Sequence, residues 1–157
     1  MTEKTKRERY HRIYSQIESL ISKTDNLNAR MATAIAVLHH KMDYFFWTGF
    51  YFLHQEELNV GPYQGSLACL ILEKDTGVCW FALNARKTTI VDDVNQFPGH
   101  IACDSRSQSE IVVPVWNRDK TEVIGVLDVD SEKKSSFTEV DAQELEKIVE
   151  LIFMSTN

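Results

Sequence analysis

The stretch Phe97-Pro98-Gly99-His100-Ile101-Ala102-Cys103-Asp104-Ser105 sets one cysteine between a proline-glycine turn and a strand-like run. Proline presets one backbone angle and glycine tolerates the other, so the pair predicts that Cys103 lies on a loop near solvent. A thiol so placed is a candidate nucleophile, because loops on a rigid scaffold are where chemistry tends to sit. The competing reading is a small hydrophobe packed beside Ile101 and Ala102. A second constellation lies in Val123-Ile124-Gly125-Val126-Leu127-Asp128-Val129-Asp130. Strand alternation sets Asp128 and Asp130 on one face, and two carboxylates side by side are costly unless something positive binds between them.

Cys69 and Cys79 complete the set of three cysteines, an odd number with no Cys-x-x-Cys pair. With no secretion signal in the charged first residues, all three are expected to be thiols in a reducing cytoplasm. His100 and Cys103 have a His-x-x-Cys spacing, but structural zinc takes four ligands from paired, closely spaced Cys and His, so no metal is read here.

The elements that must position these groups fit one domain. The chain has 157 residues, 43% hydrophobic and 25% charged, with a net charge of -6. That length can bury a core without disulfide staples. The acidic balance excludes nucleic acid as the main partner, and no apolar stretch is long enough for a membrane span. Apolar residues at Tyr10, Ile13, Tyr14, Ile17, Leu20 and Ile21 predict an amphipathic helix, and Asn28 is the expected cap of a second, with Met31, Ile35, Leu38 and Met42 inward. Phe45 to Leu53 predicts a buried strand with Trp47, Gly49 and Tyr51 on one face. Two aromatics with polar tips around a glycine would make a good cavity wall. Its hairpin partner, Leu58 to Val60, is expected to stop at Gly61-Pro62. Leu67 to Leu72 reads as a buried strand carrying Cys69, Val78 to Leu83 as a short helix, and Thr88 to Val91 as a brief strand. Glu110 to Val115 and Val123 to Asp130 form a hairpin, and Thr138 with Asp141 opens a closing helix. The prediction is an α+β domain over residues 1–157: N-terminal helices in 1–42, an antiparallel sheet and site loops in 43–131, and a C-terminal helix in 137–154.

The ordered series Trp47-Thr48-Gly49-Phe50-Tyr51, Gly61-Pro62-Tyr63-Gln64-Gly65, Ala68-Cys69, Gly77-Val78-Cys79, Phe97 to Asp104, Ser109-Glu110-Ile111-Val112-Val113-Pro114 and Gly125 to Ser131 resembles the free methionine-(R)-sulfoxide reductases, single-domain enzymes of the GAF fold. It departs from them at Trp80, where glycine is expected after Cys79, and at Thr48, where alanine is usual. The resemblance implies that Cys103 is the catalytic cysteine, Cys69 the resolving one and Cys79 a third that can join disulfide exchange. It implies that Glu110, Asp128 and Asp130 form the acidic substrate site, and that Trp47 and Tyr51 hold the methyl-sulfur end. It further implies a cytoplasmic homodimer that acts on free methionine sulfoxide, uses no metal or cofactor, and is recycled by thioredoxin.

The implied chemistry needs one nucleophile, one resolving thiol and one proton donor. Crowded carboxylates raise one another's pKa, so one of the trio can keep the proton. Which of Cys69 and Cys79 resolves stays open, because Trp80 alters the loop beside Cys79. The rivals are a small-molecule-binding GAF sensor and a redox sensor without turnover. A sensor would need an output domain, for which the terminal helices are expected to leave no room.

Overall fold

Thr2 caps the first helix by accepting the Thr5 N–H at 3.1 Å, so α1 spans Glu3–Ile21 and starts well before the expected Tyr10. Its charged first turns carry no apolar period, yet Lys6 turns inward and is buried. The side chain of Asn26, not that of Asn28, caps α2 (Leu27–Lys41) by accepting the Ala29 N–H at 2.9 Å. The chain is described by a computed structural model for residues 1–100 and 103–154. Ile101 and Ala102 of the cysteine motif and the last three residues of the expected domain lie outside the described residues.

Six strands follow, β1 (Trp47–His54), β2 (Glu57–Gln64), β3 (Ile71–Leu72), β4 (Thr89–Val91), β5 (Ser109–Trp116) and β6 (Val123–Ser131). They form one antiparallel sheet in the order β3-β2-β1-β6-β5-β4. Helix α3 (Gly77–Ala85) covers one face, while α1, α2 and α4 (Glu139–Phe153) cover the other. The fold class is the α+β sheet flanked by terminal helices that the sequence predicts. Among the described residues no helix is long and apolar enough to cross a membrane.

Alternation divides the side chains between two cores. Phe50, Ile111, Leu127 and Val129 face the three long helices and pack with Tyr10, Ile17, Ile35, Leu38, Leu145 and Ile148. Trp47, Tyr51, Val112 and Val126 face α3, where they meet Leu58, Val78, Cys79 and Trp80. The long-helix layer is tied by Asp141, which is fully buried at the start of α4. Its carboxylate accepts from Lys6 Nζ at 2.6 Å, Tyr10 OH at 2.6 Å, the Thr138 N–H at 2.7 Å and the Tyr44 hydroxyl. Buried Arg30 donates to the carbonyls of Ile21 at 2.7 Å and Ile152 at 2.9 Å, supplying partners for the orphan carbonyls at the ends of α1 and α4.

Two strand expectations are corrected. β2 does not stop at Gly61-Pro62 but runs to Gln64, because the register against β1 shifts between Gly49 and Tyr51 and leaves one extra β2 residue there. Proline has no N–H to give to the ladder, and a bulge is where that loss is tolerated. The expected strand over Leu67 to Leu72 shrinks to Ile71–Leu72, and the rest is loop. Gly65, at a φ of 118°, turns the backbone away; an added Cβ there would sit 2.9 Å from the Phe46 carbonyl oxygen.

Candidate active site

The β5–β6 register sets Glu110 opposite Asp130 and Val112 opposite Asp128, while β1 sets Trp47 opposite Asp130 and Gly49 opposite Asp128. The same alternation that sends Phe50 to the helix layer therefore gathers Trp47, Tyr51, Glu110, Asp128 and Asp130 under α3. They line a cavity of about 310 Å³, closed on the α3 side by Val78 and Cys79. Glycine is needed at position 49, because a Cβ there would lie 2.6 Å from Trp47 Cη2. Trp47 is sandwiched between Tyr51 and Tyr63, with ring centroids 5.8 and 5.3 Å away. Tyr63, on the bulged strand, is a support the sequence reading did not single out.

The polar tips of the two cavity aromatics hold the loop above them. Trp47 Nε1 donates to the Ser66 carbonyl at 3.0 Å and Tyr51 OH to the Cys69 carbonyl at 3.2 Å. That loop carries Cys69 to Cys103 at a Cα separation of 5.6 Å, and the two are joined by a disulfide. The expectation that all three cysteines are thiols is thus corrected for this pair, whose loops meet at the rim of the cavity. Cys103 is exposed, as its loop position predicts, and Cys79 is a buried thiol on α3. Beside Cys103, Asp104 is held well below the usual carboxylate range, chiefly by hydrogen bonds from Arg106, whose guanidinium approaches to 2.6 Å. The Asp-x-Arg spacing was the signal for that pair.

Burial dominates the electrostatics of the cavity floor. It pushes Glu110 and Asp130 well above their ordinary values, with the neighbouring carboxylates adding to the effect. Asp128 is also raised by burial, but hydrogen bonds from Glu110 and from the Cys79 thiol draw it part of the way back. Asp128 is therefore the member best placed to carry the negative charge, while burial inclines Glu110 and Asp130 to hold a proton to higher pH. Burial first, then the Asp128 and Glu110 charges, also pushes the Cys79 thiol up and holds it protonated. Among the described residues Asp128 Oδ1 is buried without a hydrogen-bond partner, the kind of acceptor that a ligand cation satisfies. Cys79, Glu110 and Asp128 bring their ligand atoms within 4.8 Å of one another, a donor set close enough for a divalent ion. Metal ligation requires such donors to be deprotonated, and here burial favours the protonated thiol and carboxyl.

A six-stranded antiparallel sheet with long helices on one face and a ligand-sized cavity under a short helix on the other defines a GAF domain, and the family model for that domain matches residues 24–153. Within this class the chain belongs to the free methionine-R-sulfoxide reductase family. It is 37% identical to the free methionine-R-sulfoxide reductase of Escherichia coli K12, over 92% of this chain and 86% of that protein. It is 45% identical to GAF domain-containing protein A of Dictyostelium discoideum, over 94% of this chain and 92% of that protein. The X-ray structure of free methionine-R-sulfoxide reductase from Neisseria meningitidis in complex with its substrate superposes with a TM-score of 0.85 at 39% identity, covering 91% of this chain and 85% of that one.

Proposed function

We propose that this chain reduces free L-methionine-(R)-sulfoxide to L-methionine, with Cys103 as nucleophile, Cys69 as resolving thiol and thioredoxin as the final reductant. The observation that carries the reading is the Cys69–Cys103 disulfide at the rim of a cavity floored by Glu110, Asp128 and Asp130. In the reduced protein the Cys103 thiolate attacks the sulfoxide sulfur. The oxygen passes to Cys103 as a sulfenic acid and methionine leaves. Glu110, kept protonated by burial, donates the proton that polarises the sulfoxide oxygen. The Cys69 thiol then condenses with the sulfenic acid, releasing water and forming the disulfide, and a dithiol restores both thiols. The raised pKa of Cys79 supports a non-resolving role for it, because a protonated, buried thiol is a poor nucleophile. Trp47 and Tyr51 enclose the methyl-sulfur end. The protein works as a cytoplasmic homodimer in this reading, where thioredoxin keeps the cycle turning.

Selectivity for the free amino acid follows from the acidic floor. An α-ammonium supplies the cation that Asp128 and Asp130 lack, and a charge-assisted hydrogen bond to it contributes roughly 1.5 to 3 kcal/mol. A residue within a peptide has a neutral amide there and would leave the carboxylates buried and unpaired. The test compares free methionine sulfoxide with its N-acetylated, C-amidated form at equal concentration under dithiothreitol. The blocked compound is expected to react about 100-fold more slowly. Equal rates would sink the ammonium reading, and no turnover of either would favour a sensor.

A further inference from the structure

Leu67, Leu70 and Ile71 break the rule that an apolar run goes inside: they are 84%, 72% and 45% exposed. They bracket Cys69 along the chain, and the Cys103 bonded to it is exposed as well. Exposed large apolar residues elsewhere, such as Leu20, Leu27 and Leu53, lie singly on other elements and need no explanation. An apolar collar with a disulfide at its centre does need one. Leu67 and Ile71 also border the cavity mouth, whereas Leu70 is not among its lining residues and is 72% exposed, so closing the cavity does not account for Leu70.

We propose that this collar is the docking surface for the protein dithiol that reduces the Cys69–Cys103 disulfide, an inference that rests on the redox cycle proposed above. Size is the first argument for that occupant. Three side chains offer on the order of a few hundred Å², far below what a permanent subunit interface buries and in keeping with a transient redox encounter. Chemistry is the second. Another copy of this chain in the same oxidised state brings no usable thiol, since its Cys79 is buried and its other two cysteines are bonded, and by sitting here it would seal the disulfide from reduction. A dithiol protein seated on the leucines presents its thiolate to Cys69. That attack forms a partner–Cys69 disulfide, breaks the Cys69–Cys103 bond and releases Cys103 as a thiolate. The partner's second thiol, losing its proton, then attacks the mixed disulfide and frees Cys69. Two electrons and one proton pass to this chain, leaving Cys69 as a thiol and Cys103 as the thiolate the next sulfoxide needs, and the partner departs as a disulfide.

Leu70 is the residue to change, because its side chain points to solvent and its role in the fold is its carbonyl, which accepts the Val60 N–H at 3.0 Å. Leu70→Glu and Leu70→Ser are assayed with thioredoxin and its reductase, and in parallel with dithiothreitol. The expected result is a loss of about tenfold in kcat/KM for thioredoxin in Leu70→Glu, a smaller loss in Leu70→Ser, and dithiothreitol-driven turnover within about twofold of wild type. Undiminished thioredoxin turnover in both variants overturns the proposal while leaving the reductase reading intact. Parallel loss with both reductants overturns it too, by assigning Leu70 to the fold or the site. A drop in oligomeric mass for Leu70→Glu would make the face a contact between copies and would also overturn it. A wild type inactive with either reductant refutes the reductase reading itself.

Discussion

Glu110 holds a proton that an ordinary carboxyl loses below neutral pH, and this ties stability to the cavity floor. Burial, aided by the Asp128 and Asp130 charges, raises its pKa well above the ordinary value of 4.5. The folded chain therefore keeps the proton over a pH range in which the unfolded chain has released it. Stability from this group is fully present below about pH 4.5 and is lost as pH rises through the folded-state value. Glu110→Gln removes that dependence, so the ligand-free variant should gain on the wild type as pH rises from about 5 to about 8. Urea midpoints taken across that range measure the gap, and a constant gap would contradict the raised pKa. The same variant should turn over slowly at every pH if Glu110 is the proton donor. An amide occupies the space of the acid and still hydrogen-bonds, but it supplies no acidic proton.

β1 and α4 show how elements serve the site. β1 works through what it lacks at Gly49, since even one methyl group would collide with the Tyr63 Cβ across the ladder and with Trp47, displacing the indole from the cavity wall. Gly49→Ala should raise the KM for methionine sulfoxide by about tenfold, with a smaller change in thermal stability, because a volume insertion into packed aromatics costs about 1–3 kcal/mol. An unchanged KM would remove Trp47 from the substrate wall. α4 works at a distance by docking α1 through Asp141. Asp141→Ala leaves Lys6 buried without its counter-ion and four further donors without their acceptor, and should destabilise the fold by roughly 3–5 kcal/mol in chemical denaturation. A loss under about 1 kcal/mol would mean that the network is solvated, as exposed ion pairs are.

For the chain as a whole, the sheet and its two faces were legible in the sequence, because period-two alternation in β1, β5 and β6 decides which side chains meet. Glu110, Asp128 and Asp130 converge for that reason alone. The Cys69 segment is not legible: its apolar run predicts an interior strand, whereas glycine at 65 and hydrogen bonds from two cavity aromatics hold it at the surface as a loop. Those bonds join residues distant in sequence, so no local pattern announces them. Helix starts were misplaced for a local reason, since Thr2 and Asn26 cap through side-chain geometry that Asn28 could equally have offered on residue type. The pairing of Cys69 with Cys103 came from resemblance to a family and not from spacing, and it underlies the whole redox reading. Its most direct test is a single turnover. Fully reduced protein is mixed with one equivalent of free methionine-(R)-sulfoxide and no reductant, methionine is counted, and the cysteine linkage is mapped by mass spectrometry. One methionine per chain, a Cys69–Cys103 disulfide, and no methionine from Cys103→Ser are the predicted results; methionine from Cys103→Ser, or a linkage only between Cys79 and Cys103, would contradict the account.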